Sequence, residues 1–160
     1  MDKGSHGRKD RLIKEKLHNI YRERDKSLET TVCTSCGALY MNGRWSWDEP
    51  PKGANETICP ACRRIAERYP AGHIELKGSF FTEHRAEILS LIQNVEQKEK
   101  ETRPLERIMA IEDDGNLTLV TTTGIHVARR IGEALARAYK GDLSLQYAEA
   151  EKRIRVYWER

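Results

Sequence analysis

Along the last third of the chain, apolar and polar positions alternate with a period of two. Arg107–Glu112 and Leu117–Thr122 read as strands, joined by a hairpin turn at Asp113-Asp114-Gly115-Asn116. Leu143–Ala148 and Arg153–Trp158 read as a second hairpin. Between the hairpins the period changes to that of a helix. Ala128, Ile131, Leu135 and Ala138 predict a buried face, Thr122 or Thr123 a cap, and Gly141 a stop. Gly132 inside this helix costs about 1 kcal/mol relative to Ala, and close packing on a sheet is the expected compensation. Upstream, Ile88, Leu89, Leu91, Ile92 and Val95 predict another helix, with Thr82 as N-cap and Pro104 after its charged tail. The predicted order is therefore α-β-β-α-β-β. It equals a ferredoxin-like unit whose first strand has been moved to the end, a circular permutation. Such a sheet would run third, fourth, second, first among these strands, placing Arg153–Trp158 at an inner position.

The first third reads differently. Ile13, Leu17, Ile20 and Tyr21 form a narrow helical stripe that Asp10 could cap, too short to be stable alone. Met1–Gly7 has no pattern. The segments are thus a partly disordered or helical basic arm over residues 1–30, a cysteine module over 31–78 and an α+β domain over 79–160.

Charge supports the division. The chain carries 28 Lys/Arg against 25 Asp/Glu, a net +3. The first 30 residues hold nine basic and six acidic side chains, so the whole excess lies in the arm. This mild basicity permits a nucleic-acid partner without requiring one. No run approaches the roughly 20 apolar residues of a membrane span, and the N-terminus lacks the apolar core of a secretory signal. The expected compartment is the cytoplasm, where cysteines are reduced and read as metal ligands before disulfides.

Cys33-x-x-Cys36 and Cys59-x-x-Cys62 are separated by 22 residues. A two-residue gap lets both thiolates of a pair reach one ion from a tight turn, which Gly37 and Pro60 favour. Two pairs complete a tetrahedral S₄ shell. The expected ion is a structural Zn²⁺, with iron the alternative occupant. Four thiolates leave no open position, so the metal is not expected to be catalytic. His73 reads as a surface or core residue rather than a ligand. Between the pairs, Asn42-Gly43 predicts a hairpin turn. Trp45 and Trp47 then either pack over the knuckle or expose a ring for stacking on a base.

Candidate RNA contacts are Arg8, Lys9, Arg11, Lys14, Arg22 and Arg24 in the arm, Arg44 in the module, and Arg153, Arg155 and Tyr157 on one face of the last strand. A solvated, charge-mixed helix and an edge-protected sheet face are the competing readings. Thr121-Thr122-Thr123-Gly124-Ile125-His126 opens the second helix, either as a cap or as a phosphate-binding start, and is not a P-loop. His84 and His126 read as isolated, and no catalytic constellation is visible.

Cys33-Thr34-Ser35-Cys36-Gly37-Ala38-Leu39-Tyr40, Gly43-Arg44-Trp45 and Cys59-Pro60-Ala61-Cys62-Arg63 together resemble a family of small bacterial zinc-ribbon proteins. The likeness continues through Pro70-Ala71-Gly72, Arg107–Ile111 and Thr121–His126. More distantly, the chain is similar to the N-terminal zinc-ribbon region of the nuclear export adaptor of the large ribosomal subunit, which is longer and carries more cysteine pairs. The resemblance implies that Cys33, Cys36, Cys59 and Cys62 are ligands and that nothing is catalytic. The leading expectation is a non-enzymatic factor for structured RNA on the ribosome, in assembly, hibernation or quality control. A protein-interaction adaptor and a DNA-binding regulator are the alternatives. No membrane and no small-molecule substrate are expected.

Overall fold

The computed structural model describes residues 29–160, a mixed α+β arrangement with two sheets. The arm, with its predicted helix and its cationic candidates, lies outside the described residues. Four short strands form the first sheet: β1 (Thr31–Cys33), β2 (Leu39–Met41), β3 (Arg44–Ser46) and β4 (Asn55–Thr57), in the order β3-β2-β1-β4. Asn42 and Gly43 both take positive φ, 56° and 82°, which matches the two-residue hairpin turn read from the sequence. The hairpin sets Tyr40 opposite Trp45, with ring centroids 5.3 Å apart, and both are buried. Helix α1 (Pro60–Glu67) follows β4.

The second sheet has five strands: β5 (Gly72–Lys77), β6 (Ile108–Asp114), β7 (Leu117–Thr122), β8 (Asp142–Ala148) and β9 (Arg153–Glu159). Helix α2 (Ser79–Glu83) and α3 (Arg85–Thr102) lie between β5 and β6, and α4 (Ile125–Tyr139) between β7 and β8. Period-two burial is clean. Ile74 and Leu76, Val120, and Ile154, Val156 and Trp158 face one core with Ile88 and Ile92 of α3 and Val127, Ala128, Ile131 and Leu135 of α4. Val127 takes the place expected of Ala138, which is exposed. Gly132 packs on the sheet as expected: an added methyl would sit 2.8 Å from Val156 Cγ1.

The sheet order is β6-β7-β5-β9-β8. The expected order lacked β5, which is the central strand, antiparallel to β7 and parallel to β9. β9 is inner as expected, but its neighbour is β5 and not β7. Residues 72–77 were grouped with the cysteine module, yet they pair with the strands of the following segment. Two apolar residues give too short an alternation to identify a strand. Its place is decided by partners 40 or more positions away.

The start of α3 also differs. Thr82 does not cap it; its hydroxyl donates to the Gly78 carbonyl at 3.0 Å inside the short α2, and α3 begins at Arg85. The separate turn lets Phe81 enter the core. Among the described residues, no helix is long and apolar enough to cross a membrane.

Gly72 shows how closely α4 approaches the central strand. A Cβ there would lie 2.2 Å from Thr122 Oγ1 and 2.6 Å from Ala128 Cβ. Gly72→Ala is therefore expected to destabilise the fold by about 1–3 kcal/mol, the usual cost of overpacking, read as a lower urea midpoint at unchanged m-value. An unchanged midpoint would show that the strand and helix separate freely.

Candidate metal centre and basic surface

β1 delivers Cys33, and a tight turn with Gly37 at φ 83° returns the chain to β2 past Cys36. The Gly37 amide donates to the Cys33 carbonyl at 2.9 Å. Cys59 is the N-cap of α1 and Pro60 occupies its first turn, so Cys62 falls one turn on. The four Sγ atoms lie within 4.8 Å of one another, and Cys36 and Cys59 Sγ are 3.8 Å apart. A tetrahedral S₄ shell with Zn–S near about 2.3 Å needs S···S edges of about 3.8 Å, so the donor set fits a four-coordinate ion. Three sulfurs also accept backbone amides: Cys33 from Cys59 N at 3.2 Å, Cys36 from Ala38 N at 3.4 Å and Cys59 from Cys62 N at 3.4 Å.

Arg107, which the sequence pattern assigned only to the start of a strand, completes the centre. Its guanidinium is buried and donates to Cys36 Sγ at 3.0 Å, Cys62 Sγ at 3.3 Å and Cys59 Sγ at 3.6 Å. Nε donates to the Pro104 carbonyl at 2.7 Å. Burial works against its charge, but the hydrogen bonds with Cys62 and Cys36 outweigh it and hold its pKa above the ordinary arginine range. Cys36 is pulled well below the usual thiol range, first by its hydrogen bond with Cys59, then by the Ala38 amide and Arg107, against the opposing push of burial. Four thiolates on a divalent ion would leave two negative charges in a largely buried site. The guanidinium offsets one of them. No local signal marks Arg107, because it reaches the centre from 45 residues beyond Cys62.

Two further contacts join the module to the larger unit. Leu105 packs on the cysteine cluster. Trp47, 37% exposed, donates from Nε1 to the Lys100 carbonyl at 2.6 Å, with the Arg107 guanidinium 5.8 Å from its ring centroid. The two tryptophans thus part company: Trp45 is core, and Trp47 forms part of the seam.

The Thr121–His126 turn is capped by a route the sequence did not suggest. Glu106 Oε1 accepts the Val127 amide at 2.7 Å, so a carboxylate occupies the position considered for a phosphate. Thr122 instead donates to the Gly124 carbonyl, and Thr123 to the Leu105 carbonyl. His126, read as isolated, lies 3.0 Å from Glu99, and His84 lies 3.4 Å from Glu87.

The candidate RNA contacts separate into two places. Arg44 lines a groove of about 310 Å³ with Trp45, Arg103, Glu106 and His126. Arg153, Arg155 and Tyr157 lie on the sheet face away from the helices, where no residue is buried. Register sets Gln146 beside Arg155, and Arg155 beside His73. Arg153 also stands 5.0 Å from the centroid of the exposed Tyr69 ring, which Arg64 of α1 approaches to 5.4 Å. A strip of cations and aromatics thus runs from the cysteine module onto the sheet.

Replacing Arg107 by Met leaves the sulfurs without their buried counter-charge. Metal affinity is expected to fall by about 10–100-fold, the usual effect of removing such a partner, as read by competition with a chromophoric chelator. A change under twofold would show that the contact does not tune the site. Burial raises the Glu106 pKa, against the pull of the Val127 amide. A raised carboxyl contributes stability that is complete below its unfolded value and lost as pH rises through its folded value. Glu106→Gln should therefore gain on the parent protein as pH rises above the unfolded carboxylate range, measured by urea midpoints across pH; a flat difference would refute the assignment. Comparison with known proteins places no relative beside these features: no family model, no curated protein and no solved structure matches the chain.

Proposed function

We propose that this chain is a non-enzymatic factor that binds structured RNA on the ribosome, with Cys33, Cys36, Cys59 and Cys62 holding a structural Zn²⁺ in a zinc ribbon. The observation that carries the reading is the continuous strip Arg64–Tyr69–Arg153–His73–Arg155. Sheet-based RNA modules use the same chemistry: planar cations for phosphate and aromatic rings for bases. Tyr157 and Gln146 extend it along the sheet, and the basic arm would add counterion release. Zinc would hold α1, and with it Arg64, against the sheet. No catalytic role is assigned to any residue, and the cytoplasm is the compartment in which thiolate ligands and ribosomes coincide.

A protein-interaction adaptor is the second reading, favoured by the exposed Ile58 and Ile65 of the cysteine module. Co-sedimentation with ribosomes separates the two. Association is expected at low salt and should weaken steeply as salt rises. Substituting Arg153 and Arg155 together by Gln should lower RNA affinity about tenfold or more and flatten the salt slope by about one to two units. No association at low salt would sink the RNA reading. Capture of protein that survives nuclease would transfer support to the adaptor.

A further inference from the structure

We propose that the cavity on the open sheet face beside Arg153 and Arg155 is a receptor for a terminal phosphate group, of the kind an RNA end presents. This deepens the RNA-binding reading and rests on it for the identity of the chain that carries the phosphate. The cavity, about 160 Å³, is lined by His73 of β5, Gln146 and Tyr147 of β8, Glu151 of the turn, and Arg153 and Arg155 of β9.

Register explains the convergence. Gln146, Arg155 and His73 are cross-strand neighbours on three adjacent strands. Their side chains form one row, about 4.8 Å apart from strand to strand. Arg153 lies two residues before Arg155 and so shares its face.

Two nitrogens at the cavity are available to a ligand. His73 Nδ1 and Arg153 Nε are buried and have no hydrogen-bond partner among the described residues. A buried donor without an acceptor is costly, and both of these residues line the same cavity. Arg153 Nε always carries a hydrogen, and His73 Nδ1 carries one in one of its two neutral tautomers.

Charge selects the missing acceptor. Two guanidiniums face the cavity, and Glu151, 3.6 Å from Arg153 Nη1, offsets one of them. The His73 pKa is held down first by burial and then by Arg153 and Arg155, against an opposing pull from Glu75. An anion with several acceptor oxygens satisfies both requirements. A phosphomonoester offers three such oxygens and a charge of about −1.5 to −2 near neutral pH.

Geometry favours a chain end over an internal phosphate. The turn Glu149–Glu151, followed by the left-handed Lys152 at φ 48°, places Glu151 on one side of the cavity. The space suits a phosphate group, whereas a phosphodiester would need the nucleic acid to leave on both sides. Tyr69, beside Arg153, supplies a ring next to the mouth.

The test uses the full chain with its metal and one single-stranded RNA sequence in three forms: 5′-phosphorylated, 3′-phosphorylated, and hydroxyl at both ends. Fluorescence anisotropy at fixed salt should show one phosphorylated form binding about tenfold or more tightly than the hydroxyl form, equivalent to about 1.4 kcal/mol. Arg155→Gln and His73→Ala should each bring that ratio close to one. Inorganic phosphate, followed by NMR of the His73 imidazole, should raise its pKa, because a nearby anion favours the imidazolium. Equal binding of all three RNAs with an unmoved His73 would overturn the receptor while leaving RNA binding intact. A phosphate-dependent rise at His73 without binding of any RNA would uphold the phosphate receptor and remove RNA as its carrier. Failure of both would end both readings.

Discussion

The architecture depends on one buried contact, the Arg107 guanidinium against the sulfurs of Cys36, Cys62 and Cys59. Buried ions need opposite charge and several hydrogen bonds to offset the loss of water, and each side supplies what the other lacks. The sulfurs give the buried guanidinium acceptors in place of water, and the guanidinium would offset the negative charge of a four-thiolate ion site. The contact also joins the two sheets. A module of about 40 residues cannot bury enough apolar surface to fold firmly by itself, so it draws on its larger neighbour and would draw on an ion held by the four cysteines. Leu105 and Trp47 add to the same seam.

That seam sets the surface. The long helices α3 and α4 pack on one face of the five-stranded sheet, leaving the other open. An open face of a mixed sheet must be polar, but its polarity here is graded. Arg153, Arg155 and His73 lie towards one end, while Glu112 and Asp114 lie on the far edge strand. The cationic end is the one continuous with Tyr69 and Arg64 of the cysteine module.

The same economy appears at the start of α4. Three consecutive threonines suggested a local cap, but Thr122 and Thr123 bind neighbouring carbonyls and the helix takes its anion from Glu106. Gly124 leaves the room: a Cβ there would lie 1.7 Å from the Glu106 carboxylate. The residues 104–107 therefore serve both the cysteine cluster and the helix start, and the link between strands and cysteines is a structural hub rather than a passive loop.

The sequence alone was enough for features governed by short range. The two Cys-x-x-Cys pairs, the Asn42-Gly43 turn, both C-terminal hairpins and the inward face of β9 follow from spacing and period, because neighbouring residues enforce them. The face carrying Arg153, Arg155 and Tyr157 was legible for the same reason. Other features came only with tertiary structure. β5 holds two inward apolar residues, and its central place depends on β7 and β9, neither close in sequence. Arg107 has no local mark of its role, since its partners lie 45 to 71 residues away. His73 became meaningful only when β5 set it beside Arg155. Local periodicity determines which side of an element faces inward; only the closing of long loops determines which elements, and which charges, meet.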